Sequence, residues 1–278
     1  MNKRPNSPHN KQIEEVPILR LTETGIHATS DTIAIEAPLE IQISYIEQNR
    51  RVKRSLAITM RTPGADWRLA YGFLFTEGII GKKEDILDYK QIGNTIKLIL
   101  RDTVQVETTE RSFYIHSSCG ICGKPSLDSL EKITCHYPLP NQPIITSTIL
   151  NQLSDQLRAA QSIFEETGGI HAVGLFDDKG TLLHYEEDIG RHNALDKIIG
   201  YGLEKQWLPM RNFILLLSGR ISYELVQKAS FVGIPIIAAV GAPSSLAVEL
   251  AIDMDITLIG FLRNNRFNVY SASNRISD

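Results

Sequence analysis

Along the chain, apolar and polar positions fall into two regimes. Up to about residue 116 the alternation has a period of two. Ile33-Ala34-Ile35, Leu39-Glu40-Ile41-Gln42-Ile43, Ser55 to Met60 and Ile96-Lys97-Leu98-Ile99-Leu100 predict half-buried strands. The charge run Arg50 to Arg54 predicts a solvated hairpin turn. One helix interrupts this part: Asp66 stands as its cap, and Leu69, Ala70, Phe73 and Leu74 form its buried stripe through Thr76. Beyond residue 145 the period changes. Thr146 to Glu166 carries Ile149, Leu150, Leu153, Leu157, Ala160 and Phe164 at helical spacing and stops at Gly168-Gly169. Strands at His171–Phe176, Leu182–Tyr185, Phe213–Leu217, Pro235–Val240 and Ile256–Phe261 then alternate with helices at 191–203, 221–231 and 244–252. That order predicts an α/β layer with partly parallel strands. The chain thus divides into a disordered arm (1–17), a β-rich N-terminal part (18–116), a loop and connector (117–145) and an α/β ligand-binding domain (146–278).

Composition adds little to this picture. The 278 residues are 42% hydrophobic, and a net charge of -3 gives no reason to expect nucleic acid as a partner. The polar, proline-containing start has no signal-peptide core, and no apolar run reaches membrane-spanning length. Three cysteines are too few for a disulfide framework, so the expected setting is reducing and cytoplasmic.

The chemistry concentrates in a few short runs. Cys119 and Cys122 lie two residues apart in a Gly-rich loop, with Lys124 beside them and a helix expected from Pro125 to Lys132. Amide N–H groups at a helix start and a neighbouring lysine favour the thiolate, which attacks sulfur and binds metal. Leu217 runs into Ser218-Gly219-Arg220, and Val240 runs into Gly241-Ala242-Pro243-Ser244-Ser245. Each places a small-residue turn between a buried strand and a helix, where anions are favoured. Neither turn is a dinucleotide or P-loop motif. Asp188, Arg191, His192 and Asn193 crowd a further strand-to-helix turn and predict a ligand-facing loop.

Taken together, these runs resemble the formate dehydrogenase accessory sulfurtransferase (FdhD) family. The resemblance rests on Cys119-Gly-Ile-Cys122-Gly-Lys, Thr167-Gly-Gly-Ile-His171-Ala, Glu187-Asp-Ile-Gly-Arg191-His192-Asn193-Ala, Ser218-Gly-Arg220, Ala242-Pro-Ser-Ser and Gly260-Phe-Leu-Arg263-Asn-Asn-Arg266-Phe-Asn. Upstream, Met60-Arg-Thr-Pro-Gly64 and Gly72-Phe-Leu-Phe-Thr-Glu77-Gly fit as well. It spans roughly residues 30–272. One departure is Gly241, where many members carry serine. The resemblance implies a cytidine deaminase-like α/β layer and a homodimer with a pocket for guanine nucleotide. It implies a persulfide carrier that takes sulfane sulfur from a cysteine desulfurase onto Cys119, with Cys122 assisting. The sulfur then passes to a molybdenum bis(molybdopterin guanine dinucleotide) cofactor destined for formate dehydrogenase. The cofactor segment falls on Phe261, Leu262, Arg263, Asn264, Asn265 and Arg266; Ser218, Gly219, Arg220, Gly241, Ser244, Ser245, Asp188, Arg191 and His192 complete the expected site.

Three competing readings stand beside this one. A zinc deaminase would want H-x-E before P-C-x-x-C, whereas His184-Tyr185-Glu186 follows the cysteines and Ser118 precedes Cys119. Cys119, Cys122, Cys135 and His136 supply the ligand types of a structural zinc site, although adjacent ligands fit one tetrahedron poorly. The third is a protein without zinc, either a thioredoxin-like dithiol or a cofactor-binding chaperone that performs no sulfur chemistry.

Overall fold

The computed structural model describes residues 11–106, the backbone of 113–115, and residues 136–263 and 265–278. The cysteine loop, the helix expected at 125–132, Cys135 and Asn264 lie outside the described residues.

The chain opens with strands β1 (Ile13–Thr22) and β2 (Gly25–Ala34), paired antiparallel from Ile13↔Ala34 to Thr22↔Gly25. The expectation of a disordered arm to residue 17 is therefore corrected. Residues 13–17 find backbone partners on the Thr- and Ser-rich β2, although none of them is fully buried. Next come β3 (Ala37–Glu47) and β4 (Arg50–Arg61), then helix α1 (Asp66–Thr76), and strands β5 (Ile86–Ile92), β6 (Thr95–Leu100) and β7 (Phe113–Ile115). The last five strands form one sheet in the order β5-β6-β3-β4-β7. The hairpin turn is Gln48-Asn49, both at positive φ (47° and 61°), so the charge run 50–54 is the start of β4 and not the turn. Adjacent positive-φ residues match the twist of a two-residue hairpin, and asparagine tolerates that conformation. Asp66 does not cap α1. Ala65 holds the cap position without a side-chain bond, and Asp66 instead takes two 2.8 Å hydrogen bonds from the buried Arg61 guanidinium.

The second half contains β8 (Ile145–Thr146), α2 (Ser147–Ala160), α3 (Ser162–Thr167), β9 (His171–Asp177), β10 (Leu182–Asp188) and α4 (Arg191–Glu204). It continues with β11 (Phe213–Leu217), α5 (Tyr223–Phe231), β12 (Ile236–Ala239), α6 (Ser245–Asp253), β13 (Thr257–Arg263), β14 (Arg266–Ser271) and β15 (Ile276–Ser277). Six strands make one mixed sheet, β10-β9-β11-β12-β13-β14, in which only β11, β12 and β13 run parallel. The single helix expected over 146–166 is broken at Gln161, whose ψ of 84° leaves the helical region.

This sheet is a middle layer, and its strands sort their residues by period two. Val173, Leu175, Leu215, Leu217, Ile237 and Ala239 join a core shared with α1, α4, α5 and the N-terminal sheet. Ala172, Ile214, Leu216, Ile236, Ala238 and Leu262 turn to the other side, against Leu150, Leu153 and Leu157 of α2. The β-rich and α/β parts are therefore joined by one core. At their junction α1 crosses α4 at backbone contact. A Cβ on Gly72 would lie 1.9 Å from the carbonyl oxygen of Asp196, and one on Gly200 would lie 2.0 Å from that of Arg68. The result is a mixed α/β fold with six α-helices among the described residues. No helix among them is long and apolar enough to cross a membrane.

Candidate functional site

Where β11, β12 and β13 end, the sheet opens into a cleft of about 650 Å³. Its floor is Leu216, Ser218, Val240 and Leu262. One wall is the α2–α3 segment with Ser154, Asp155, Arg158, Gln161 and Phe164; Gly168 to His171 and Arg263 complete the rim. Position follows from sequence: strands whose alternate residues are apolar must end somewhere, and the small residues after them let the chain turn without filling the space. Ligands of open α/β sheets occupy this position.

Ser218 is fixed by β9, its Oγ accepting the Ala172 amide at 2.8 Å and its own amide donating to Ala172 O at 3.0 Å. The hydroxyl proton remains available to a ligand. The two small-residue turns are knit together: Gly241 N donates to Gly219 O at 3.1 Å, and Phe261 N donates to Gly241 O at 3.0 Å. A Cβ at Gly241 would sit 2.8 Å from Gly219 O. Glycine at this position is therefore what lets the two turns close to this distance. Phe261 bends the end of β13 with φ 56°, Asn265 carries φ 55° in the hairpin turn, and Arg263 faces Arg266 across it. Both arginines are exposed, and Arg263 has no carboxylate partner among the described residues.

His171, at the mouth of β9, is the residue that sequence reasoning missed. Its ring lies beside Gly219, 3.4 Å from where a Cβ would be. Burial pushes its pKa down from the usual histidine range, and the charges of Arg191, His192 and Arg220 add to that, with Asp188 opposing. The downward shift favours the neutral ring of His171, which both donates and accepts, with the guanidinium groups of Arg191 and Arg220 near enough to act on it. The signal was present in Thr167-Gly-Gly-Ile-His171-Ala, a glycine pair running straight into a strand, but a lone histidine in a strand gave no chemical reason to choose it.

The structure brings together Ser218, Leu262 and Arg263 in the cleft, with Gly219 and Phe261 shaping its edge. It does not bring the other expected residues into the lining. Asp188 has no exposed surface; it pairs with Lys197 at 2.7 Å and accepts from the amides of Thr62 and Gly190 and from Asn193. It joins β10 to α4 and the end of β4, so the expectation that it faces a ligand is corrected. His192 turns toward α5, with Nε2 3.4 Å from Ser222 Oγ and 3.9 Å from Glu224 Oε2. That pairing is the main reason Glu224 is held down to about 2. Ser244 caps α6 by accepting the Ala247 amide at 3.3 Å, and Ser245 is the exposed first residue of that helix. Arg220 is exposed outside the lining, and Arg191 opens α4 close enough to His171 to act on its charge. The H-x-E run is structural: His184 stacks on Tyr201 at 3.7 Å, and Glu186 takes Arg68 at 3.0 Å. Cys119, Cys122 and Asn264 lie outside the described residues.

Fold and cleft together define a mixed α/β protein with a small-ligand cleft at the carboxyl ends of parallel strands. Comparison makes the class specific, since residues 34–277 match the model of the FdhD/NarQ family. A sulfur carrier protein FdhD from Streptomyces coelicolor is 41% identical over 278 residues, covering 95% of each chain. One from Sulfolobus acidocaldarius is 42% identical over 266 residues, covering 95% of this chain and 99% of its own. Among solved structures, a proposed formate dehydrogenase accessory protein from Desulfotalea psychrophila superposes with a TM-score of 0.76 at 25% identity. The match covers 96% of this chain and 100% of that one. The chain belongs to the FdhD/NarQ family of sulfur carrier proteins.

Proposed function

We propose that this protein takes sulfane sulfur from a cysteine desulfurase as a persulfide on Cys119 and passes it to a molybdenum bis(molybdopterin guanine dinucleotide) cofactor bound in the second half. The product serves formate dehydrogenase. In this reading Cys119 thiolate accepts the sulfur atom. Attack of the Cys122 thiolate on Cys119 Sγ then forms the Cys119–Cys122 disulfide and expels the outer sulfur as sulfide. The protein acts as a homodimer in the cytoplasm, and its six-stranded layer is of the cytidine deaminase type without deaminase chemistry.

The observation that carries the reading is the cleft. Its volume lies in the range of roughly 300–1,000 Å³ typical of small-ligand sites, enough for one nucleotide end of the cofactor. An exposed arginine, a serine hydroxyl and a neutral histidine suit a diphosphate.

Replacing Arg263 by Ala removes a charged fork that contributes ~1.5–3 kcal/mol to phosphate binding. Calorimetry should show guanosine diphosphate affinity lowered about ten- to hundredfold, with sulfur loading unchanged. Unchanged affinity would remove the cleft from the reading.

A further inference from the structure

Gln161 occupies the break between α2 and α3, where an N-cap side chain would normally accept the first amides of α3. It does not do so. Glu187 reaches over from β10 and accepts the amides of Ile163 at 3.0 Å and Phe164 at 2.8 Å. The Gln161 side chain is thereby left over. The residue is only 5% exposed and lines the cleft, and among the described residues its side-chain amide makes no hydrogen bond. The amide holds two donors and an acceptor, and its atoms keep accessible surface on the cleft, where a ligand or water can meet them. Here the helix is interrupted and its capping duty transferred to another strand, which keeps this one amide facing an open cavity.

The rest of the wall says which part of a ligand comes here. Asp155 contributes a carboxylate, which repels phosphate and accepts from N–H groups. Arg158 is already paired with Glu165 at 3.2 Å and sits over the Phe164 ring at 4.1 Å, so its charge is satisfied and the two groups form one surface. Planar groups of this kind, with donors and acceptors at their edge, suit a heterocyclic base. The strand ends contribute Arg263, Ser218 and His171 to the same lining, and these suit phosphates.

We propose that Gln161 reads the hydrogen-bonding edge of a nucleobase, and that the α2–α3 wall is the base subsite of the cleft, with the diphosphate lying toward the strand ends. The assignment rests on the nucleotide reading of the cleft given above. The amide of Gln161 donates to a ring carbonyl or ring nitrogen of the base and accepts from an adjacent N–H, a pairing that guanine offers along one edge.

The test uses the full chain and two probes, guanosine diphosphate and inorganic pyrophosphate, titrated calorimetrically into wild type and Gln161→Met. Methionine keeps the length of the side chain and removes its amide. The expected result is a guanosine diphosphate affinity about tenfold weaker, pyrophosphate affinity unchanged, and a melting temperature unchanged or raised, because the lost amide had no partner among the described residues. Guanosine diphosphate affinity equal to wild type would overturn the proposal. So would equal weakening of both probes with a lowered melting temperature, which marks a structural role. Failure of wild type to bind guanosine diphosphate at all would remove the nucleotide reading itself, and this assignment with it. Arg263→Ala separates the two cases, since it should weaken both probes where Gln161→Met weakens one.

Discussion

At the scale of single residues, the polar groups crowded after β10 divide the work among themselves. Asp188 is spent on Lys197 and backbone amides inside the protein, and His192 on the first turn of α5. Glu224 is depressed to about 2 chiefly by His192, below its usual carboxylate value of 4.5. A carboxylate more acidic in the folded state than in the unfolded one stabilises the fold above the unfolded value, and that stabilisation is lost as pH falls toward the folded one. Wild type should therefore exceed Glu224→Gln in stability at pH 6, with the gap closing between pH 4.5 and 2. Denaturation at a series of pH values reads this directly, and a gap independent of pH would show that the pairing carries no charge. The sequence displayed Asp188, Arg191 and His192 as one polar bunch at a strand-to-helix turn, and that turn was legible. Their separate duties were not, because the partners that claim Asp188 and His192, Lys197 and Glu224, stand 9 and 32 residues further on in the chain. His171 failed in the same way: its neighbours in space come from two other turns, at 188–192 and 219–220.

At the scale of elements, most helices and strands of the second half were legible because each one is amphipathic or wholly apolar at its own period. The misread points were local. Gln48-Asn49 turns the chain just before the arginines that dominate the pattern, and the α2–α3 break at Gln161 is invisible in a stripe that continues to Phe164. Only Glu187, 26 residues later, explains why α3 starts afresh. The α1–α4 crossing was equally hidden, since a glycine inside a helix reads as a weakness and not as a contact. Its consequence is measurable. A methyl group placed 1.9–2.0 Å from a backbone oxygen forces the two helices apart, and overpacking of this kind costs ~3 kcal/mol. Gly72→Ala and Gly200→Ala should each lower stability by about that amount in chemical denaturation. A loss below ~0.5 kcal/mol in both would mean that the crossing is looser than described.

At the scale of the whole molecule, the β-rich and α/β parts share one core and meet through the α1–α4 crossing. In the proposed division of labour Cys119 carries the sulfur, and the cleft built on this shared core holds the acceptor. A carrier needs such an arrangement, with one group that visits a donor and a fixed site that holds the acceptor. The order of a β-rich part before an α/β part was legible in the sequence, while the shared core came only from long-range contacts. The most direct test of the account is the intact mass of the protein after incubation with a cysteine desulfurase and cysteine. The account predicts an added mass of about 32 Da, one sulfur atom, located on Cys119 and absent from Cys119→Ala, together with loss of formate dehydrogenase activation in that variant. A Cys119→Ala protein that still gains the sulfur and still activates formate dehydrogenase would contradict it.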